Sequence, residues 1–506
     1  MNLAVVRRQL GVLITLVGAC MSTSLIWAFL DWHEPGSRTV VSAFVLSIAI
    51  CTAIGVVFTR GRRADERMYR KEAIAVVSLG WLLCGILGAL PYVLSGVLAP
   101  IYDGWFDICG AAVFESISGF TTTGASIFPK PEELPRAILF WRSLTHWLGG
   151  MGIIVLFVAV LGQTGAGAKR MVVSEVPGPT DEPLKPRIRS AAMLLWQIYV
   201  AISAAEVVAL ALQGMSLFDS LCHTFGTMAT GGFSTLNGSI GQYGNLGFEV
   251  TIIVFMVLAG MSFNLYAILL AGNWRKVIGD SELHVYLLIM LGAITVLTAD
   301  VLLNGPEGYG PGKALRESSF QAVSIMTTTG YSTADFNQWP DLSRWLLFLL
   351  MFVGGCAGST GGGIKVVRIV LFAKIIALEV SGVFRPRAVR TLRIGGKAVE
   401  KNTRQSVTAY VGVVLTIFLV STLCLLLLHN DWSVAPEEQI DLETAFTAVA
   451  ATLNNIGPGL GMVGAVENYA FFSTPAKLFL AFLMTLGRLE VVVVLCLFLP
   501  SFWRTQ

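Results

Sequence analysis

The sequence predicts an all-α polytopic membrane protein of about ten transmembrane helices, built as four tandem span–loop–span repeats around a pseudo-fourfold axis. Three observations predict it. Apolar residues make up 55% of the 506 positions and charged residues only 13%, where roughly 25% charged is usual for soluble domains. The charges cluster between apolar runs of ~20 residues, the length that crosses a hydrocarbon core. Finally, four short stretches are variants of one another: Thr121-Thr122-Thr123-Gly124, Met228-Ala229-Thr230-Gly231, Thr327-Thr328-Thr329-Gly330 and Asn454-Asn455-Ile456-Gly457. Each follows an amphipathic run too brief to cross a bilayer, and each lies between two long apolar segments.

Residues 1–72 hold two spans, near 9–30 and 38–58, and a basic loop from Arg60 to Lys71. Arg7 and Arg8 precede the first span with no small-residue cleavage site after it, which reads as an uncleaved span. The first repeat (73–162) has spans near 73–95 and 136–161, with a short helix at Trp105–Phe120. A cytoplasmic loop (163–189) leads to the second repeat (190–273), with spans near 190–213 and 247–272 and a short helix at Leu217–Thr227. The third repeat (282–378) has spans near 283–303 and 343–376 and a short helix at Ala314–Met326. After a basic loop (379–405), the fourth (406–500) has spans near 406–428 and 475–499 and a short helix at Leu442–Leu453.

The repeats align on their glycines, which fall 107, 99 and 127 residues apart. That period is too long for a solenoid, and each unit contains membrane-crossing segments. Phe114, Leu221 and Phe320 stand ten positions before their glycines and Phe446 stands eleven before Gly457, which implies one inserted residue in the fourth unit. Asp219, Glu317 and Asp441 are expected to open their short helices, an acid at the positive end of the helix dipole.

Ten crossings put the basic loops on one side: Arg60 to Lys71, Lys169 to Arg189, Arg275 and Lys276, and Arg385 to Arg404. By the positive-inside rule that side is the cytoplasm, and both termini fall there. The opposite side is acidic, which raises the local concentration of cations. The eight cysteines form no CxxC pair and the five histidines no metal spacing. His223 reads as a helix-packing residue. There is no H-E-x-x-H, no G-x-S-x-G and no acid pair or Ser/His pair at membrane depth, so an enzyme is not expected. Neither a cofactor site nor a nucleotide site is visible in this chain, and nucleic acid is not an expected partner; the lipid bilayer is.

Irregular backbone at membrane depth is tolerated only where it is buried in protein or lines a cavity. A Thr-Thr-Gly loop meets that condition at a central pore, where its carbonyl oxygens replace the water shell of a dehydrated cation. The short helix before each loop points its negative end at the same place. Oxygen ligands without carboxylates suit a monovalent ion, since a divalent site uses Asp or Glu. The expected selectivity filter is therefore Thr122, Thr123 and Gly124; Ala229, Thr230 and Gly231; Thr328, Thr329 and Gly330; and Asn455, Ile456 and Gly457.

Two features break the repeat. The segment from Trp345 to Ile376 is too long for one crossing and is interrupted by Gly354, Gly355, Gly358, Ser359, Thr360, Gly361, Gly362 and Gly363, a composition no stable helix carries. It reads as a flexible intramembrane loop beneath the filter. Lys365 follows, either snorkelling to the cytoplasmic edge or lying near the pore. Arg488 stands midway along the last span, where a charge is costly and faces a cavity or a partner. Glu490 is two residues on and on a different helix face, so Arg488 is expected to face the pore below the filter. Glu206, inside a span, is a weaker candidate that pairs with a neighbouring helix.

FESISGFTTTGAS, MATGGFST, MTTTGYST and NNIGPGL resemble the four pore loops of the Trk/Ktr/HKT superfamily of potassium transporters, and the likeness covers residues 70–500. The two N-terminal spans, Trp147-Leu148-Gly149-Gly150-Met151-Gly152 and Gly354-Gly355-Cys356-Ala357-Gly358-Ser359-Thr360 resemble the TrkH-type bacterial subunit. The resemblance implies potassium as the substrate, because glycine fills the key position of all four loops. It implies that the glycine-rich loop is the gate, facing a basic residue of the last span. It also implies a homodimer in the bacterial cytoplasmic membrane, seated on a cytoplasmic ring of nucleotide-binding regulators of the TrkA type. A symporter coupled to protons or sodium, or a secondary transporter of another fold, remains the alternative at this stage.

Overall fold

The computed structural model describes residues 1–60, 69–152, 188–384, 392–394, 397–429 and 439–503. Residues 163–187 of the expected cytoplasmic loop, the far part of the 136–161 span and the arginines at 62, 63, 67, 385, 387 and 390 lie outside this set. Nearly everything in it is helical. The exception is a small antiparallel hairpin, with Arg393 opposite Ala398 and Ile394 opposite Lys397. Its Leu392 packs with Leu371 and Val407 of the flanking helices.

Among the described residues, six segments are long and apolar enough to cross a membrane: Leu3–Leu30, Ser37–Thr59, Arg70–Leu94, Ala192–Leu212, Ser281–Asn304 and Lys401–His429. They are the two N-terminal spans and the first span of every repeat. The second spans differ from expectation, because all four are broken and not the third alone. Arg136–Gly150 ends at Met151, with Gly152 in the left-handed region (φ 73°). Leu246–Gly260 and Phe263–Leu270 meet at 89°. Asp341–Leu350 and Val366–Phe384 flank the glycine-rich loop. Thr474–Arg488 stops before Glu490, which is left-handed (φ 51°). In each case small or strained residues end the helical hydrogen-bond ladder where backbone must line something other than lipid.

The four short helices are where the sequence puts them, at Trp105–Phe120, Leu217–Ala229, Pro311–Met326 and Leu442–Leu453. Asp441 caps the fourth, accepting from Thr444 N at 2.8 Å. Ser216 caps the second, and its hydroxyl donates to Asp219 at 2.6 Å. Glu317 does not open the third helix as expected. That helix starts a turn and a half earlier, with Pro311 in the first-turn position that needs no N–H. Glu317 instead accepts from Tyr309 Oη at 2.6 Å.

The broken second spans are wedges between successive short helices. Arg136–Gly150 packs against both the first and the second, Leu246–Gly260 against the second and third, and Thr474–Arg488 against the fourth and first. The chain therefore closes a ring of four. Two glycines mark equivalent depths. A Cβ on Gly149 would collide with the carbonyl of Phe120, and one on Gly487 with that of Leu453, each at the end of a short helix.

Asp300 ties the two helices of the third repeat together. It is buried, and its carboxylate accepts from Ser343 N (3.0 Å), Ser343 Oγ (2.6 Å) and Asn304 Nδ2 (2.8 Å). Asp300→Ala would leave the buried Ser343 N–H without its acceptor, at a cost of about 1–3 kcal/mol. The expected outcome is a lower melting temperature of the purified protein in detergent, with Asp300→Asn intermediate.

Candidate functional site

The four loops meet at one axis, and their backbone shows the register between them. Thr122, Thr230, Thr328 and Asn455 are all left-handed, with φ of 53°, 55°, 60° and 56°. Two positions later comes a left-handed glycine in each loop: Gly124 (81°), Gly232 (79°), Gly330 (81°) and Gly457 (99°). The residue between is not left-handed. Alternation of hand turns successive carbonyls to the same side, the arrangement a carbonyl-lined filter needs. A β-branched residue held at positive φ costs on the order of 1–2 kcal/mol, strain that is stored at functional sites.

This register corrects the alignment in the second loop. The counterpart of Gly124, Gly330 and Gly457 is Gly232, not Gly231. Gly231 N donates to Gly226 O (2.8 Å) as Thr123 N does to Ser118 O (2.9 Å), Thr329 N to Ser324 O (2.9 Å) and Ile456 N to Ala451 O (2.9 Å). Ala229 consequently stands at the level of Thr121, one step further from the ring. The fourth unit needs no insertion, because Phe114 and Phe320 match Cys222 and Thr447 rather than Leu221 and Phe446. Two adjacent glycines made the second loop ambiguous in sequence.

The ring is closed by contact. A Cβ on Gly124 would strike the carbonyl of Gly231, one on Gly232 that of Thr329, one on Gly330 that of Ile456, and one on Gly457 would lie 2.7 Å from that of Thr123. Each glycine thus presses on the carbonyl just before the ring glycine of the next loop, in the order one, two, three, four, one. The loops are braced internally by Thr121 Oγ1 with Thr123 Oγ1 (2.8 Å) and Thr327 Oγ1 with Thr329 Oγ1 (2.8 Å). The fourth loop braces the first, Asn455 Nδ2 donating to Thr123 Oγ1 at 3.0 Å.

Sequence reasoning missed the ion pair behind this ring. Glu115, in the first short helix, and Arg142, in the helix after it, are both buried. Glu115 accepts from Arg142 Nε (2.7 Å), Ser126 Oγ (3.1 Å) and Ile127 N (2.9 Å). Arg142 also donates to Ser234 O (3.3 Å) and lies 4.2 Å over the ring of Phe233, so it joins the first loop to the second. The signal was present as a lone acid and a lone base in apolar runs.

On one side the ring glycines Gly124, Gly232, Gly330 and Gly457 floor a cavity of about 80 Å³. Among the described residues that line it, Glu467 is acidic and Arg142 basic. On the other side lies the glycine-rich loop. Cys356 N donates to Gly260 O (2.9 Å), Phe263 N to Gly358 O (3.0 Å) and Thr360 Oγ1 to Ala259 O (3.1 Å), seating the loop in the break of the second wedge helix. Gly362 N donates to Thr328 Oγ1 at 2.7 Å, directly beneath the third of the four loops. Gly354 N bonds Ile364 O (3.0 Å), Gly355 O accepts from Val366 N (3.2 Å), and Gly363 is left-handed at 66°. Glu282 anchors the loop through Ala357 N (2.8 Å) and Val367 N (3.1 Å).

Arg488 reaches all these parts. It donates to Thr122 Oγ1 (3.1 Å), Thr360 O (2.8 Å), Gly149 O (2.5 Å) and Gly150 O (2.8 Å). Glu490 pairs with Arg368 instead, at 2.8 Å. Of the two places open to Lys365, the structure takes the one near the axis: the side chain is buried and donates to Gly361 O. The space left among Gly361, Gly363, Lys365, Gly487 and Arg488 is about 10 Å³, room for one water at most. Glu206 is fully buried in the Ile188–Leu212 helix and belongs neither to the ring nor to the loop beneath it.

Four pore loops closed on one another above a glycine-rich loop define a membrane transport protein of the tandem pore-loop class. The chain belongs to the TrkH family: the family model described as a cation transport protein matches residues 40–505. It is 35% identical to the Trk system potassium uptake protein TrkH of Halomonas elongata over 515 residues, with 100% of both chains covered. It is 34% identical to the protein of the same name in Escherichia coli K12, again with 100% of both covered. The crystal structure of the potassium transporter TrkH from Vibrio parahaemolyticus superposes with a TM-score of 0.83 at 34% identity, over 100% of each chain. A transport family, not an enzyme family, is what the chain belongs to.

Breaking a buried ion pair by removing one partner costs about 3–5 kcal/mol, more than replacing both. Glu115→Leu and Arg142→Leu are each expected to lower the monodisperse yield in detergent further than the double variant does, read by fluorescence-detected size-exclusion chromatography.

Proposed function

We propose that this chain carries potassium into the cell across the bacterial cytoplasmic (inner) membrane. The ion passes a carbonyl-lined filter and a glycine-rich gate. The observation that carries the reading is the closed ring in which Gly124, Gly232, Gly330 and Gly457 each press on a neighbouring loop's carbonyl. At that level the four ring positions bear no side chain, and the groups they press on are carbonyl oxygens. The oxygens are uncharged, which fits a monovalent cation. The names of the relatives, potassium uptake protein and potassium transporter, fit the same ion. The filter is Thr122, Thr123 and Gly124; Thr230, Gly231 and Gly232; Thr328, Thr329 and Gly330; and Asn455, Ile456 and Gly457. The gate is Gly354–Gly363 with Lys365 and Arg488. Arg488 puts a positive charge beside the path and holds the gate carbonyl of Thr360 to the first filter loop.

The termini are cytoplasmic in this reading, supported by the side on which Lys and Arg gather. The working unit is a homodimer seated on a nucleotide-binding ring of the TrkA type. The basic hairpin region around Arg393, Lys397, Lys401 and Arg404 offers an acidic partner a docking face. Co-elution of the detergent-solubilised chain with such a ring checks this part.

Two flux measurements test the pore. Gly330→Ser puts a side chain against the carbonyl of Ile456. It is expected to lower rubidium-over-sodium selectivity in proteoliposomes by roughly tenfold or more, equivalent to about 1.4 kcal/mol of discrimination. An unchanged ratio counts against the filter. Arg488→Gln removes the tie between gate and filter, and basal rubidium flux should rise at equal protein density. A flux that stays the same or falls would count against the gate assignment.

A further inference from the structure

The second filter loop lacks the internal hydroxyl brace that the first and third carry. At the level just before the ring glycine the loops hold Thr123, Gly231, Thr329 and Ile456. Thr123 and Thr329 use their hydroxyls to bond Thr121 and Thr327, whereas Ala229 and Gly231 have no hydroxyl to offer. The space beside Gly231 is nevertheless full. A Cβ built there would lie 2.6 Å from Cγ and Nδ1 of His146 and 2.7 Å from its Cδ2. His146 comes from the wedge helix Arg136–Gly150 of the preceding repeat and is completely buried.

Both ring nitrogens are engaged by backbone. Nδ1 lies 2.7 Å from Gly119 O, and Phe233 N donates to Nε2 at 3.2 Å. A carbonyl only accepts and an amide N–H only donates, so the imidazole is neutral with its proton on Nδ1. The first partner, Gly119 O, also accepts from Thr122 N of the first loop at 3.1 Å. The second, Phe233, follows the ring glycine Gly232, and its phenyl stacks on the imidazole with centroids 4.1 Å apart. One side chain therefore holds the end of the first short helix and the exit of the second loop in a single fixed relation.

We propose that His146 is a positioning residue for ion discrimination, its imidazole standing where the second loop's own side chain is missing and fixing the Gly231–Gly232 carbonyls to the first loop. The inference rests on the filter reading above. It does not require His146 to touch the ion.

The test compares rubidium and sodium uptake by the full-length chain in proteoliposomes. His146→Leu keeps similar volume and removes both hydrogen bonds. Their loss should raise the sodium-to-rubidium ratio about tenfold, equivalent to about 1.4 kcal/mol of discrimination. His146→Gln, whose amide can donate to Gly119 O and accept from Phe233 N, should hold the ratio within about twofold of the parent. A parental ratio in His146→Leu overturns the proposal, and so does a His146→Gln that loses discrimination as fully as His146→Leu. Should His146→Leu fail to fold, a second cycle decides the matter. Gly231→Ala should shift the ratio in the parent, where its methyl meets the imidazole, and add nothing further in a His146→Ala background. Additive effects would overturn the proposal. Gly330→Ser measured alongside separates the two readings: a shift there with none at His146 sinks this inference alone, whereas no shift at either sinks the filter.

Discussion

Everything in this molecule depends on the absence of four atoms. At Gly124, Gly232, Gly330 and Gly457 a single added carbon would meet a carbonyl of the next loop. Close approach of this kind needs glycine twice over, for the empty side-chain position and for the left-handed φ. Because each loop leans on the next, no loop can be placed correctly alone. The wedge helices, the Glu115–Arg142 pair and the inter-loop bonds of Asn455 serve to hold four separate chain segments at a mutual distance set by backbone contact. Packed interiors tolerate little displacement, so a rigid surround is the natural setting for an opening whose size matters.

The same logic accounts for the broken second spans. A helix that ran straight through would keep its backbone groups to itself. Interrupting all four frees carbonyls at Gly149, Gly150, Ala259 and Gly260, and each of these is used: the first two by Arg488, the others by the glycine-rich loop. The loop beneath the ring is thus tethered by backbone bonds to one wedge and by a guanidinium to another. Such bonds are individually modest, so the loop is held by several small contacts rather than one large one.

Much of this was legible in the sequence. The six long spans and the four short helices follow from apolar length and turn composition. What sequence could not resolve was local and geometric. Gly231 and Gly232 are adjacent and chemically identical, so only backbone dihedrals tell which belongs to the ring. The breaks near Gly150, Met261 and Leu489 carry too little composition signal to separate from ordinary glycine-bearing helix, unlike the six glycines between residues 354 and 363. Glu115 and Arg142 were visible singly. Their pairing needed the fold, since 27 residues and a loop separate them. His146 lacks metal spacing, and nothing in one sequence says that its ring occupies another loop's empty position.

Arg488 follows Gly487, and Gly150 follows Gly149, at matching depths in the fourth and first repeats. The arginine thus occupies a position that its counterpart leaves bare, and its guanidinium reaches across to that counterpart's carbonyl. In an assembly of four identical subunits every residue is present four times. A cation at this depth would then be a ring of four charges around the axis, repelling one another. Joining the four units in one polypeptide removes that obligation: an arginine can be placed in one unit alone, while the ring keeps its nearly fourfold shape.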